Sequence, residues 1–427
     1  MSWALTCYRC LVPAIMPLAA LYLLKRSIKQ PDYRLHWGER FAWSDYPKKG
    51  AAKRIWIHAV SVGETNATRE LIDRILKRWP DSEVLLTHMT PTGRDAGARI
   101  VAKAPDRIAQ CFLPYDAGFA VKKFLRQTQP DMALLMETEV WPMLLHQTRE
   151  MGIPTMLVNG RLSDKSLKQM QRVESLMREA FKNFSMVCAQ ADSDAQRFRQ
   201  MGVTEPVVTG SLKFDLQAPE WALTQAHDWK AAIARPQILF ASSRQGEEEP
   251  FLKALAKSAQ PSTLYWLVPR HPQRFHDVQK MIEAAGLTYQ CRSQLKGPSD
   301  ILPTTQVILG DSMGEMFFYC ALADVCIMGG SFEPLGCQNV IEPASVGVPV
   351  IVGPSTFNFS EVVKRGLQDR ALMQVASLET ALTASHTLLA NPQQWQERRG
   401  AARHFSGAYL GATDKTLDII ETVLCKK

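Results

Sequence analysis

The sequence contains neither of the two glycine-rich signatures that mark the commonest nucleotide-binding loops. No G-x-G-x-x-G follows a predicted strand, which removes the main support for a dinucleotide oxidoreductase. No G-x-x-x-x-G-K-[ST] is present, which does the same for a P-loop enzyme. A nucleotide site in this chain would have to be built from other loops.

Cysteine is sparse and has no pairing pattern. The chain has 9 cysteines in 427 residues, and its C-x-x-C, Cys7–Cys10, lies in a hydrophobic segment without a second pair. This argues against a zinc or redox site, and free thiols indicate a reducing compartment. With 46% hydrophobic and 22% charged residues, the composition excludes a disordered, collagenous or small disulfide-stapled protein.

Neither sign of charge dominates. Lys+Arg 50 against Asp+Glu 42 gives a net charge of +8. Such an excess fits an anionic partner, whether phosphate ligand, acidic lipid or nucleic acid, and does not choose among them. No nucleic-acid-binding motif accompanies the charge, so we expect no nucleic-acid partner.

The first 30 residues are the most hydrophobic part of the chain. Cys10 to Leu24 carries no charge, Arg9 precedes it, and basic residues follow it from Lys25 onward. A bilayer span needs about 20 apolar residues, and an excess of basic residues on one flank marks the cytoplasmic side. We expect an uncleaved anchor over 1–30 that spans the membrane or lies in its interface. A soluble docking helix is the alternative; a cleaved signal peptide would carry its basic residues first.

The rest of the chain alternates apolar runs of strand length with amphipathic helical stretches. This alternation is typical of βαβ units and parallel sheets. The predicted strands are 55–60, 83–89, 108–115, 132–137, 155–160, 186–190 and 206–211, then 237–243, 263–269, 305–310, 324–330 and 348–353.

We therefore predict two Rossmann-like α/β domains. The expected limits are an anchor with its basic flank over 1–30, a first domain over 31–215, a connector over 216–236, a second domain over 237–400 and a C-terminal helical segment over 401–427. Ligands of such sheets bind at the carboxyl ends of the strands, so the default site is a cleft between the two domains.

Charged residues follow several strands of the first half. Glu64 begins a helix after the first strand, Glu137 and Glu139 follow another, and Lys213 follows the last. An acid in the first turn of a helix is ordinary, and a general base facing a cleft uses the same position. We expect one of Glu137 and Glu139 to face the cleft while the other makes a structural contact.

The second half offers a nucleotide-binding set at its strand ends. Arg270 and His271 end one strand, the turn GDSMGE (310–315) opens another helix, and a glycine-rich strand end leads to Glu342. Free N–H groups at a helix start hold phosphate, and a carboxylate accepts from ribose hydroxyls. A D-x-D at Asp192–Asp194 resembles a metal–nucleotide motif, but acids at a helix start are also ordinary caps.

Taken together, these motifs resemble the Kdo transferases, which add 3-deoxy-D-manno-oct-2-ulosonic acid (Kdo) to lipid A precursors in lipopolysaccharide synthesis. The similarity runs from the N-terminal hydrophobic segment to about residue 370. The residues that carry it are HAVSVGET, THMTPTG, LPYD, METEVWP, NGRLSDKS, VTGSLKFD, LVPRHPQRF, LGDSMGEM, GGSFEPLGCQNVIEPA and GPSTFNF.

The resemblance implies a GT-B fold, a metal-independent and cofactor-free inverting glycosyltransferase, a CMP-Kdo donor and a lipid A precursor as acceptor. It also implies attachment to lipid of the inner membrane at the cytoplasmic face. The residues matching the family's functional positions are Glu64 as proton acceptor, Glu137 and Lys213 as transition-state stabilisers, and Pro269, Arg270, Met313, Gly314, Glu315, Asn339, Val340, Ile341 and Glu342 as CMP contacts.

Two positions depart from the family pattern. Cys337-Gln338 stands where many members have Gly-His, and Arg244 stands where many have His. A role that needs a histidine titrating near neutrality is unavailable at either place, although glutamine keeps a hydrogen bond and arginine adds a phosphate contact. The alternatives to Kdo transfer are a glycosyltransferase of the same fold that uses a UDP-sugar and a membrane-tethered nucleotide-binding scaffold.

Overall fold

The computed structural model describes residues 2–28, 30–50, 52–215 and 218–425. The chain divides into two compact units. Unit 1 contains the residues up to Asp215 together with those from Leu410 onward, and unit 2 contains the residues between them. Each unit is built on its own parallel sheet, so the predicted two-domain α/β organisation is confirmed.

The strands of unit 1 form one sheet. They are β1 Lys53–His58, β2 Ser82–His88, β3 Ile108–Phe112, β4 Met132–Met136, β5 Thr155–Gly160, β6 Met186–Ala189 and β7 Val207–Val208. They pair in parallel in the order β3-β2-β1-β4-β5-β6-β7. From β1 the chain continues to one side of the sheet, whereas from β4 it continues to the other. Ligands of open parallel sheets bind at the carboxyl ends of the strands beside such a switch point.

Helices cover both faces of this sheet. They are α1 Trp3–Ser27, α2 Trp37–Arg40, α3 Val62–Ala67, α4 Arg69–Arg78, α5 Pro91–Val101, α6 Gly118–Thr128, α7 Pro142–Glu150, α8 Asp164–Gln171, α9 Glu174–Phe181 and α10 Asp192–Gln200. Because successive strand residues point to opposite faces, Ile55 and Ile57 pack with Ile72 of α4, whereas Trp56 packs with Phe124 of α6. Two buried layers thus fix β1, and with it the loop that follows His58.

Unit 2 repeats the design. Its strands are β8 Gln237–Ser243, β9 Leu264–Pro269, β10 Tyr289–Cys291, β11 Val307–Leu309, β12 Val325–Met328, β13 Val350–Val352 and β14 Leu372–Gln374. They are parallel and lie in the order β10-β11-β9-β8-β12-β13-β14, so the switch point lies between β8 and β12. The helices are α11 Glu220–Ala232, α12 Glu248–Ser258, α13 Phe275–Ala284, α14 Met316–Leu322, α15 Ile341–Ser345, α16 Ser360–Gln368, α17 Leu378–Leu389 and α18 Pro392–Gly407.

Two short strands were not predicted from the sequence. β10 and β14 have three residues each and lie at the two outer edges of the unit 2 sheet. Each includes a glutamine, and three residues are too few to show a pattern of alternation. Edge strands of this kind are specified by their neighbour rather than by their own composition.

The structure also differs from the expected limits at the ends of unit 2. The expected connector holds α11, whose Trp229 packs edge-on against Phe318 of α14 inside unit 2. The expected C-terminal segment ends in α19 Ala412–Cys425, whose Leu417 and Ile420 are buried in the core of unit 1. The residue pattern of a helix does not show which distant element the helix packs against. The sequence therefore could not assign these two helices to their units.

Candidate active site

Glu64 lies in the first turn of α3, beside the switch point of unit 1. Ser61 is the N-cap residue: its Oγ accepts a hydrogen bond from the backbone N–H of Glu64 (3.4 Å) and donates one to Glu64 Oε1 (2.8 Å). The backbone N–H of Val60 donates to Glu64 Oε2 (2.8 Å). The loop therefore holds the carboxylate in one orientation while its side chain stays half-buried.

The environment of Glu64 makes it a better base than its place in the helix suggests. Burial raises the pKa of Glu64 above its ordinary value, and the Glu137 carboxylate adds to the rise. The hydrogen bonds from Val60 and Ser61 and the charge of Lys213 act in the opposite direction. The helix N-terminus by itself favours the ionised carboxylate, but the loss of water outweighs the dipole and the hydrogen bonds.

Glu137 follows β4 in an unusual backbone conformation. Its φ is 54°, in the left-handed region, which costs about 1–2 kcal/mol for a residue that has a Cβ atom. Its N–H donates to the carbonyl of Val158 (3.0 Å), and its carbonyl accepts from the N–H of Arg161 (3.3 Å). Lys213 Nζ lies 2.6 Å from Glu137 Oε1. The turn thus presents the Glu137 carboxylate to the Lys213 ammonium.

The backbone around Lys213 is held on both sides. The N–H of Leu212 donates to Asn159 Oδ1 (3.0 Å) at the end of β5. Two residues after the lysine, the buried carboxylate of Asp215 accepts from the N–H groups of Gly411 (2.8 Å) and Thr413 (2.5 Å) at the start of α19. The lysine is therefore placed by fixed backbone although its own side chain is partly exposed.

Glu139 joins the same cluster. Its Oε2 accepts a hydrogen bond from Trp141 Nε1 (2.7 Å). Burial raises the pKa of Glu139 to about 7, helped by the charges of Glu64 and Glu137 and opposed by the bond from Trp141. Both acids that follow β4 therefore lie in one cluster, and Glu139 also makes a structural contact, with Trp141.

His58, the last residue of β1, faces this cluster from the core. Its Nε2 lies 3.9 Å from Glu139 Oε2, and its Nδ1 lies 2.8 Å from Thr87 Oγ1, which also accepts from Trp56 Nε1 (2.8 Å). Burial lowers the pKa of His58 to about 3, so the ring is neutral at pH 7. The resemblance to the family assigned no role to Glu139 or His58; the signal that could have found them is that each is a polar residue at a strand end.

In unit 2, a buried carboxylate joins the two loops at the switch point. Glu247 Oε2 accepts from the backbone N–H groups of Arg244 (2.9 Å) and Gly330 (2.8 Å), and its Oε1 accepts from that of Phe332 (3.0 Å). A Cβ atom at Gly329 would lie 2.4 Å from the carbonyl oxygen of Ser242, so only glycine fits there. The loops after β8 and β12 are thus locked together.

Two arginines follow the neighbouring strands β8 and β9. The N–H of Arg270 donates to the carbonyl of Ser243 (3.0 Å), one residue before Arg244. His271 is next to both guanidinium groups; burial lowers its pKa, and the charges of Arg244 and Arg270 lower it further. Side chains of this kind form a positive surface suited to phosphate and carboxylate groups.

The expected CMP-contacting segment 339–342 lies beside Arg270. Asn339 Oδ1 accepts from the N–H of Ile341 (3.0 Å) at the start of α15, and Val340 and Ile341 are buried. Burial raises the pKa of Glu342 to about 6, whereas Arg270 and a hydrogen bond from Asn339 lower it. The structure therefore brings Arg270, Asn339 and Glu342 together, as the sequence predicts.

Comparison with known proteins identifies the family. The family model for 3-deoxy-D-manno-octulosonic-acid transferase (kdotransferase) matches residues 35–216. The chain is 41% identical over 427 residues to the 3-deoxy-D-manno-octulosonic acid transferase of Bordetella pertussis, covering 97% of this chain and 98% of that one. It is 32% identical over 428 residues to the enzyme of the same name from Haemophilus influenzae, covering 98% of each. This chain belongs to the Kdo transferases.

The fold agrees with this membership. MurG of Acinetobacter baumannii superposes with a TM-score of 0.56 at 16% identity, covering 87% of this chain and 99% of that one. At that identity the likeness shows the fold alone. The Kdo transferase described here thus has two parallel-sheet α/β domains of the GT-B type.

The remaining predicted contact residues of this Kdo transferase lie at other strand ends of unit 2. Pro269 is buried at the end of β9, and Met313 is exposed in the loop after β11. Gly314 has a φ of 86°, and Glu315 accepts from Arg292 Nη2 (2.8 Å) at the start of α14. Their contact with CMP stays a prediction.

The D-x-D of this Kdo transferase serves a structural purpose. Asp192 and Asp194 lie in the first turn of α10, and Asp194 Oδ1 accepts from the N–H of Leu162 (2.9 Å). Across the described ranges, no group of three or more His, Cys, Asp or Glu side chains is placed to hold a metal ion.

Proposed function

We propose that this Kdo transferase moves Kdo from CMP-Kdo to a lipid A precursor, lipid IVA, in lipopolysaccharide core biosynthesis and releases CMP. The observation that supports it most is the cluster of Glu64, Glu137 and Lys213 at the carboxyl edge of the unit 1 sheet, in a chain of this family. A carboxylate of raised pKa beside a carboxylate–ammonium pair has the groups that glycosyl transfer needs.

In the proposed step, the acceptor hydroxyl attacks the anomeric carbon of Kdo. Its proton passes to Glu64, the new C–O bond forms on one face, and the bond to the CMP phosphate breaks on the other, so the configuration inverts. The CMP phosphate leaves with the electron pair of that bond. Removing such a base costs about 10²–10⁴ in rate.

Glu137 and Lys213 have complementary tasks in this proposal. The Glu137 carboxylate steadies positive charge that develops on the sugar ring, and the Lys213 ammonium steadies negative charge. The two groups lie 2.6 Å apart, so the carboxylate and the ammonium are already positioned as a pair. Fixed charges of this kind need no reorganisation during the reaction.

Unit 2 is the proposed donor site. Arg270 and the segments 313–315 and 339–342 are the proposed CMP contacts. Arg244, which departs from the family pattern, adds a second cation next to Arg270 and is suited to the phosphate or the sugar carboxylate of the donor. We propose that these cations, rather than a divalent metal, neutralise the departing phosphate. Activity retained in EDTA supports this; activity lost in EDTA and restored by a divalent ion contradicts it.

We place the enzyme at the cytoplasmic face of the inner membrane. In the described part of the chain, α1 is the helix that is long and apolar enough to cross a membrane. The enzyme's proposed acceptor is an amphiphile, which a protein attached to the membrane meets at its surface. Membrane fractionation of cells that produce the full-length protein tests this location.

The mass of the lipid product is the decisive measurement. Purified full-length protein is incubated in detergent with CMP-Kdo and lipid IVA, and the lipid is analysed by mass spectrometry. We expect a mass increase of one or more Kdo units, with inhibition by CMP but not by UDP. An unchanged lipid mass with CMP bound indicates a scaffold, and inhibition by UDP alone indicates a UDP-sugar donor.

A further inference from the structure

One side of α1 is attached to unit 1 along the whole helix. Leu5, Val12 and Leu23 are buried, and Tyr8 and Met16 pack against the same cores. Their spacing of three, four and seven residues places them on a single face of the helix. The helix therefore runs along the surface of unit 1 instead of projecting from it.

Polar contacts hold α1 at both ends and near its middle. The N–H of Ser2, the N-cap residue, donates to Glu179 Oε1 of α9 (3.1 Å). Tyr8 OH donates to Asp116 Oδ2 (3.0 Å). At the other end, Arg34 Nε donates to Ser27 Oγ (3.0 Å). The two ends are thus joined to the same rigid unit.

This attachment conflicts with a membrane-crossing orientation. A helix of 25 residues is about 37 Å long, which exceeds the hydrocarbon thickness of about 30 Å. If α1 crossed the bilayer, Glu179 and the neighbouring charged residues of α9 would enter it as well. Charged side chains at the centre of a bilayer are costly and rare, and those that occur face a protein interior or a water-filled cavity. Arg9 on α1 itself would add to this cost.

The other side of α1 is apolar and has no covering element among the described residues. Trp3 is 83% exposed, and Leu11, Leu18 and Leu21 are each about 60% exposed. Trp43, on the neighbouring segment, is 70% exposed. Tryptophan at such positions is typical of the boundary between lipid headgroups and acyl chains.

The charge of this region fits an anionic surface. Three basic residues, Arg9, Lys25 and Arg26, lie on α1, and the helix has no acidic residue. Basic residues are attracted to an anionic leaflet, and their long side chains reach the headgroups from a helix that lies at the surface.

We propose that α1 lies in the plane of the membrane surface, with its Trp3–Leu21 side immersed in an anionic phospholipid bilayer, and does not cross that bilayer. The occupant of the exposed apolar face is lipid rather than a second copy of the chain.

This orientation brings the bilayer surface close to the candidate active site. Asp116, which accepts from Tyr8, also accepts from the N–H groups of Met143 (2.9 Å) and Leu144 (2.8 Å) at the start of α7. The residue just before α7 is Trp141, which holds Glu139. A hydroxyl group carried by a lipid could then reach Glu64 from the membrane surface. This consequence rests on the proposed function, whereas the orientation of α1 does not.

The depth of spin labels along the outer side of α1 tests the orientation. Cys7, Cys10 and Cys425 are exposed, whereas the other six cysteines are buried. The background protein therefore carries serine at these three positions. Single labels are then attached at residue 7 by restoring Cys7, at residue 14 through Ala14→Cys and at residue 21 through Leu21→Cys.

Each labelled full-length protein is bound to vesicles of phosphatidylglycerol and phosphatidylethanolamine. Depth is measured from collisions with oxygen and with a water-soluble nickel chelate. For a helix in the plane, we expect all three labels about 5–10 Å below the headgroups and within about 5 Å of one another. For a crossing helix, residues 7 and 21 differ in depth by about 20 Å.

Controls make each outcome decisive. A label at Cys425 in α19, with serine at positions 7 and 10, should stay fully accessible to the nickel chelate. A steady gradient of depth from residue 7 to residue 21 would overturn the proposal. So would labels that remain in water, or labels that show strong spin–spin broadening from a second copy and no immersion. Because no catalysis is measured, failure here is distinct from failure of the proposed function.

Discussion

The two units end their sheets in loops of opposite electrostatic character. At the switch point of unit 1, three carboxyl groups, Glu64, Glu137 and Glu139, lie close together, and the Lys213 ammonium pairs with Glu137 and also acts on Glu64. At the switch point of unit 2, Glu247 is buried and its carboxylate is occupied by backbone N–H groups.

Two arginines at the strand ends of unit 2 differ from Lys213 in this respect. In the stretches that the structure describes, no ion pair is found for Arg244 or Arg270. Crowded carboxylates raise one another's pKa and so suit proton transfer, whereas unpaired guanidinium groups attract anions. The same architecture thus yields a proton-handling edge in one unit and an anion-binding edge in the other.

The largest expected effect comes from removing the base of unit 1. Glu64→Gln keeps the shape of the side chain and an oxygen to accept from the loop, but it cannot take a proton. We expect the rate of Kdo transfer to fall about 10²–10⁴-fold, with little change in the binding of CMP. Single-turnover transfer to lipid IVA measures the rate.

The matched control is Glu249→Gln in the first turn of α12. Glu249 is an exposed acid at the start of a helix and pairs with Lys253 (2.6 Å). Like Glu64 it lies in the first turn of its helix, but it is not part of the acidic cluster or of the loop-joining carboxylate, so activity should be unchanged. If the rate of Kdo transfer by the Glu64→Gln enzyme stayed within a few-fold of the parent rate, Glu64 would not be the base. The edge of unit 1 would then not differ from that of unit 2 in handling protons.

The next effect concerns stability rather than chemistry. Glu247→Gln places an amide N–H₂ where a carboxylate oxygen accepts from backbone N–H groups of two loops. Losing charge-assisted bonds and leaving a buried donor unpaired costs about 4 kcal/mol. We expect faster hydrogen exchange at Gly330 and Phe332, with exchange in unit 1 unchanged. Exchange equal to that of Glu249→Gln would show that this carboxylate does not join the loops.

The sequence predicted the elements of this comparison better than their arrangement. Strands of apolar residues between amphipathic helices are local patterns, and the twelve predicted strands are found, two with the predicted bounds and ten with at least one shifted end. The residues near the strand ends followed from topology, because the carboxyl ends of parallel strands meet at one edge.

What the sequence could not provide depends on contacts between distant residues. The left-handed turn at Glu137 is held by hydrogen bonds to Val158 and Arg161 of another βα unit. The raised pKa of Glu64 likewise comes from burial, which a local pattern of residues does not reveal. The helix α1 shows the same limit: its hydrophobicity is local, whereas its attachment to Glu179 is not.

The smallest expected effect separates burial from mutual repulsion at the acidic edge. Folding raises the pKa of Glu139 from an ordinary value near 4.5 to about 7, so the folded protein binds the proton more tightly than the unfolded chain. The free energy of unfolding must therefore fall as the pH rises from about 4.5 to about 7, and stay level above that. Glutamine resembles the protonated carboxyl and does not titrate. Glu139→Gln should then exceed the parent in stability by about 1 kcal/mol at pH 5 and about 3 kcal/mol at pH 8.

Urea unfolding of unit 1, followed by hydrogen exchange at α7 and β4, measures this difference. Glu150→Gln, at the exposed end of α7, controls for the loss of one negative charge. If Glu139→Gln and the parent differ equally at both pH values, Glu139 is not held protonated by its surroundings. The double variant with Glu64→Gln and Glu139→Gln separates the two causes. If repulsion from Glu64 contributes, Glu139→Gln stabilises the Glu64→Gln protein at pH 8 by less than it stabilises the parent. If burial acts alone, the two gains add, and the acidic edge of unit 1 is a set of independent buried groups rather than a coupled one.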